Sequence, residues 1–163
     1  MSGMDLVLHQ EEYQRIREVI ARLRTDCNAK VVFLVDKNGQ QIAANGELEA
    51  IDTTALASLA AGNVAATDSL ARLIGEKEFT ILFHEGERDN LHISVVGGRV
   101  ILVVIFDERS SLGLVRLRVK KRAPELSSIL DVMWKKSAAP RRAGGGGPFV
   151  EITDEDIDKL FSD

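Results

Sequence analysis

Apolar residues along this 163-residue chain recur at two different spacings, and the switches between them mark out the elements. Ile16, Val19, Ile20, Leu23 and Cys27 follow the helical period. Glu11, Glu12, Arg15, Arg17, Glu18, Arg22 and Arg24 supply a wet side, so the spacing predicts a first helix over about His9–Cys27. A continuous apolar strand follows at Val31–Asp36, then Asn38-Gly39, a strong hairpin signal because both residues tolerate positive φ. A second strand is expected over about Gln40–Asn45. After a second helix, three more strands read as Phe79–His84, Asn90–Val96 and Arg99–Phe106, with Gly97-Gly98 as the tight turn between the last two. VVFLV and VILVVIF are continuously apolar rather than alternating, so helices should cover both faces of the sheet. FTILFH is shorter and followed closely by Gly86, which suits an edge strand open to another chain.

The second helix lies between Asp52 or Thr53, its cap, and Gly75, its stop. Placed at 100° per residue, Leu56, Leu59, Leu70, Leu73 and Ile74 gather on one side with Ala60, Asn63 and Thr67. That side reads as the core face. The opposite side carries Ser58, Ala61, Gly62, Ala65 and Ser69, with charge only at Asp68 and Arg72. A helix facing water would show Lys, Glu or Gln there. Gly62 inside a helix also costs about 1 kcal/mol relative to Ala, a loss that a close contact would offset. This small-residue face is therefore expected to meet another protein, although a helix buried on both sides within its own domain fits the same pattern.

A third helix should start after Ser110-Ser111, with either serine as cap, and run to about Lys136 on a stripe that includes Leu117, Leu126, Ile129, Leu130 and Met133. Pro124 predicts a kink or break near Arg122-Ala123. The element order is thus α-β-β-α-β-β-β-α, an α+β arrangement, with residues 1–137 as one domain. Residues 138–148 read as a Gly/Pro linker. Residues 149–163 then form a short amphipathic helix: Thr153 caps it, Asp154, Glu155 and Asp156 fill its first turn, and Ile152 and Ile157 stand at staple positions. Its acidic residues predict a basic receiving groove or helix N-termini, and the basic run Arg116, Arg118, Lys120, Lys121 and Arg122, usually a solvated face, could receive an acidic partner.

The net charge of −4 argues against nucleic acid. A single cysteine, Cys27, excludes an internal disulfide, gives no zinc cluster and reads as a small core residue. The N-terminus lacks a basic segment followed by an apolar run, and the longest apolar run, residues 100–106, is too short to span a bilayer. The expected location is the cytoplasm, without membrane insertion. No GxxxxGK[ST] phosphate loop is present, and GGGG at 144–147 reads as tether. His9, His84 and His92 lack metal-like spacing, with the two strand histidines expected partly exposed. Asp36 and Asp107 end strands and read as turn residues. Arg109 is the one candidate for an arginine finger, against the commoner role of a surface loop arginine. No catalytic residue, metal or cofactor is therefore assigned.

The element order, the KVVFLVDKNGQ hairpin, the TTALASLAAGNVAA helix, the RVILVVIFDERSSLGLVRLRVKK junction and the terminal ITDEDIDKLF segment together resemble the roadblock / dynein-light-chain family over nearly the whole chain. The resemblance implies a roadblock fold, a five-stranded antiparallel sheet with helices on both faces. It implies a homodimer in which third strands pair across subunits through Phe79, Ile81 and Phe83 while second helices lie side by side. It also implies a GTP-bound, Ras-like small GTPase as partner. The chain would then be no enzyme but a GTPase-activating regulator, clamping the switch region while the GTPase supplies its own catalytic Arg and Gln, so Arg109 need not act as a finger. Ala61, Gly62, Ala65 and Ser69 would face the GTPase, and Ile152, Ile157, Leu160 and Phe161 would anchor the C-terminal helix, tuning binding or nucleotide exchange. The implied setting is bacterial cell polarity and gliding motility, with clustering at a cell pole. Two other readings stand beside this one. A non-catalytic roadblock scaffold would bind the GTPase or a polarity protein without changing its chemistry. A small-molecule sensor is disfavoured because the sheet faces read as filled by Val, Ile, Leu and Phe.

Overall fold

The computed structural model describes residues 10–144. Its elements are α1 (Gln10–Cys27), β1 (Val31–Asp36), β2 (Gln41–Gly46), α2 (Thr53–Leu73), β3 (Ile81–Glu85), β4 (Asn90–Val96), β5 (Val100–Phe106) and α3 (Leu112–Gly144). The five strands form one antiparallel sheet in the order β2-β1-β5-β4-β3. The expected fold class, element order and edge position of β3 are all found.

Two cores sandwich the sheet. Alternation along each strand sends neighbouring residues to opposite faces. Val32, Leu34, Leu102 and Val104 pack under α1 and α3 with Ile16, Ile20, Leu23, Leu126, Ile129 and Leu130. Val31, Phe33, Val35, Ile101 and Val103 pack under α2. The central strands β1 and β5 are therefore apolar at successive positions because each position meets a helix, as continuous runs require.

Local chemistry fixes the turns. The Asp36 carboxylate accepts from the backbone N–H of Asn38 at 2.9 Å and of Gln40 at 3.0 Å, while Gly39 takes φ of 90°. Gly97 and Gly98 both hold positive φ at the centre of the turn that the Arg99 N–H closes on the Val96 carbonyl, in the three-residue connection between β4 and β5. Asp52 caps α2, accepting from the Ala55 N–H at 3.1 Å. At the other end the Glu76 N–H reaches the Ala71 carbonyl and the Gly75 N–H the Arg72 carbonyl, with Gly75 at φ of 84°. This paired closure is the Schellman stop that Gly75 announces.

Several expectations are corrected. Pro124 does not break α3, which is one helix from Leu112 to Gly144; tertiary packing of Val119, Leu126, Ile129 and Leu130 holds both sides of the proline together. The helix also runs eight residues past Lys136, so residues 138–144, expected as linker, are helical even through Pro140; Ala138, Ala139, Arg141, Arg142 and Ala143 favour the helix. Leu117, expected on the buried stripe, is 61% exposed. Glu12, expected on the wet side of α1, is buried and ion-paired with Lys136 of α3. A buried carboxylate needs such a partner.

Candidate functional site

The largest departure from expectation is the face that α2 turns to its own sheet. Ala57, Ala60, Ala61, Val64 and Ala71 are the buried residues of this helix. The leucine side points away: Leu59 is 72% exposed, Leu70 56%, Leu73 82% and Ile74 71%, and only Leu56 of that set packs partly against the core. The reason is steric. Alanines let the helix backbone approach Phe33, Ile101 and Val103 closely, and one layer of small side chains already fills the space. Among the described residues the leucines have little left to pack against. Large apolar side chains exposed along one side of a helix make it a candidate interaction surface.

Of the four residues singled out on the small-residue face, Gly62, Ala65 and Ser69 are exposed, whereas Ala61 is turned inward and buried. Ala61 thus supports the surface from beneath. Gly62 has open space where a Cβ would stand: beyond its chain neighbours and the adjoining backbone of its own helix, no atom of the described residues comes within 4 Å. The outer face of α2 therefore joins large apolar residues at Leu59, Leu70, Leu73 and Ile74 with small ones at Gly62, Ala65 and Ser69.

Strand β3 is the second half of the surface. Among the described residues its only sheet neighbour is β4, with Ile81 opposite Ser94 and Phe83 opposite His92, so none of them pairs with the outer row of its backbone groups. Ile81 is 49% exposed and Phe83 39%, the Phe83 ring stacking on Phe106 at 6.2 Å. Phe79 precedes the strand and is half-buried. Leu82 lies on the α2 side of the sheet.

The candidate chemical groups are held in structural roles. The Arg109 guanidinium binds the Asp107 carboxylate, Nε to Oδ1 at 3.0 Å and Nη2 to Oδ2 at 3.0 Å, and lies 3.8 Å from Glu47. The Arg109 side chain, followed by its backbone N–H, holds the Asp107 carboxyl below its ordinary range. Cys27 is fully buried, and burial, aided by Asp26 against the pull of Arg118, pushes its thiol up to about 11. A thiol so placed is a core residue rather than a nucleophile. Ile152, Ile157, Leu160 and Phe161 lie outside the described residues. Sequence reasoning missed one group: His92, expected to be partly exposed, is buried with Ser94 on the α1/α3 side of β4. Its signal was alternation, since residues 92 and 94 share the inward face of a strand.

No helix among the described residues is long and apolar enough to cross a membrane. Residues 15–106 match the Roadblock/LC7 domain, and the chain belongs to that family. Within it, the chain is similar to Myxococcus xanthus MglB, with 60% identity and a TM-score of 0.73 over 76% of this chain and 92% of that one. An MglB solved in a tetrameric arrangement is 34% identical, with a TM-score of 0.71 over 75% of this chain and 92% of that one. The gliding protein MglB of Thermus thermophilus is 36% identical, with a TM-score of 0.68 over 72% of this chain and 90% of that one.

Proposed function

We propose that this chain is a homodimeric regulator of an MglA-like, GTP-bound Ras-like small GTPase, whose GTP hydrolysis it stimulates by clamping the switch region. The observation that carries the reading is the outer face of α2, apolar and small-residue at once, beside an open β3 edge. Likeness to MglB proteins supports it. In this reading two β3 strands pair through Phe79, Ile81 and Phe83, and two α2 helices come together over Leu59, Leu70 and Leu73. The paired helices present Gly62, Ala65 and Ser69 to the GTPase.

No nucleophile, general base or free cation stands among these residues, so the chain acts as no enzyme and donates no catalytic group. Arg109, tied to Asp107, suits a clamp better than a finger. Acceleration then arises by population shift: the regulator binds the hydrolysis-competent arrangement of the GTPase more tightly than the resting one. Residues 1–137 form the roadblock domain, and the chain beyond it, helical as far as Gly144, leads to a recognition helix at 149–163. Ile152, Ile157, Leu160 and Phe161 tune GTPase binding or nucleotide exchange. The protein works in the cytoplasm, clustered at a cell pole, in polarity and gliding motility.

Ala65→Arg tests the contact. Ala65 is exposed, so the variant folds normally. A guanidinium placed in a close helix contact is desolvated without a partner. Titration against the GTPase loaded with a non-hydrolysable GTP analogue should lose binding. Unchanged affinity would remove the α2 face from the complex.

A further inference from the structure

The α1/α3 side of the sheet holds a groove of about 640 Å³ between β4 and the first half of α3, bordered at the β3 edge by Thr80 and by Ile81, a residue of the proposed dimer seam. Two polar residues lie in its floor. His92 is 1% exposed and Ser94 6%. Among the described residues neither ring nitrogen of His92, nor the Ser94 hydroxyl, has a hydrogen-bond partner in another residue, and both residues line the groove. Native folds rarely leave buried polar atoms unmade, because each forfeits its hydration for nothing. Three such atoms side by side ask for a polar group from outside.

The charge around the groove gives that group its sign. Arg116 and Lys120 of α3 line it, no Asp or Glu does, and neither cation has an ion pair among the described residues. Burial, and after it the charge of Arg116, hold the His92 ring below its usual pKa, so at neutral pH it offers one N–H donor and one acceptor nitrogen. Val96, Leu117 and Val119 make the apolar part of the wall. The volume falls in the range of about 300–1,000 Å³ typical of small-ligand sites.

We propose that this groove binds a small soluble organic anion, a phosphate or carboxylate on an apolar body. The anionic head meets Arg116, Lys120 and the Ser94 hydroxyl with the His92 ring, and the body lies against Val96, Leu117 and Val119. The site is separate from the GTPase-facing surface, since α2 packs on the opposite face of the sheet. A ligand here would give a regulator of protein contacts a second, chemical input.

The test is a titration of the isotope-labelled full chain, followed by amide NMR, with phenyl phosphate, phenylacetate and neutral benzyl alcohol as probes. Saturable shifts centred on His92, Ser94, Gly113 and Arg116 are expected with one or both anions, and binding of the alcohol about tenfold weaker or worse. Arg116→Gln, at an exposed position, should weaken the anion about tenfold or more without altering the fold. Gly113→Leu provides a second variant: Gly113 lines the groove and a Cβ there meets nothing within 4 Å, so a larger side chain should occlude the site. Scattered or absent shifts, equal binding of the alcohol, or indifference to both substitutions would overturn the proposal. Depletion of the protein by phosphatidylglycerol vesicles, with no response to the free anions, would assign the anion to a lipid headgroup and overturn the soluble ligand.

Discussion

Truncating Leu59 to alanine separates a core leucine from an interface leucine. Leu59 is 72% exposed in the protomer. The substitution removes three carbons, each worth about 0.8 kcal/mol when fully buried. If a second copy covers the exposed share, the loss is about 1.7 kcal/mol per protomer, and a symmetric dimer loses it twice, about 3.5 kcal/mol. At about 1.4 kcal/mol per tenfold, the dimer dissociation constant should rise about 300-fold. The isolated protomer, by contrast, should change by less than about 0.5 kcal/mol, because the side chain packs against little of its own chain. Sedimentation equilibrium over a wide concentration range gives the first number, and urea unfolding at concentrations where both proteins are monomers gives the second. Val132→Ala, on α3 at 41% exposure, is the control for the dimer and should leave its dissociation constant unchanged. A dissociation constant unchanged by Leu59→Ala would take this leucine out of the dimer contact. A loss of several kcal/mol in the monomer would be equally fatal, since it would return the leucine to the core.

Cys27, buried with its thiol raised to about 11, should resist thiol-directed reagents at pH 8 in the native protein and react promptly in denaturant; fast native labelling would contradict its burial. His92 has a folded pKa below the ordinary 6.5, so below about pH 6.5 the unfolded chain takes up a proton that the folded chain refuses. Stability should therefore fall as pH drops through 6.5, down to the folded pKa, with no contribution from this ring well above 6.5. Urea midpoints of wild type and His92→Gln at pH 7.5 and 5.5 read it, and equal pH slopes would refute it. Gly46→Ala should be severe, because a Cβ at this residue of φ 130° would lie 2.1 Å from the Lys30 carbonyl oxygen. Backbone strain alone costs about 1–3 kcal/mol, and a thermal midpoint unchanged by the substitution would show that the β1–β2 pairing gives way there.

Strands β1 and β4 have the limits their apolar runs suggest, and β5 is shorter than expected by one residue, because strands covered on both faces leave an unambiguous hydrophobic signature. The limits of α2 were equally legible from Asp52 and Gly75, whose roles are local. Its orientation was not. Both sides of α2 are apolar or small, and periodicity finds a stripe without saying which neighbour the stripe meets. The rule that leucines point inward fails where alanines allow close approach to the sheet. Glu12 lies four residues before Ile16 on the buried stripe of α1, so its position was visible, but its pairing with Lys136 joins residues 124 apart. The continuity of α3 through Pro124 likewise depends on packing that no local signal carries. The small-residue surface was legible as composition, and the leucines beside it became part of the candidate site only when the fold turned them outward.

The decisive experiment is single-turnover GTP hydrolysis by an MglA-like GTPase, titrated with the full chain to saturation. The rate should rise with occupancy to a plateau well above the intrinsic rate, and Ala65→Arg should give no rise. Binding confirmed at saturation with an unchanged hydrolysis rate would contradict activation and make the chain a scaffold.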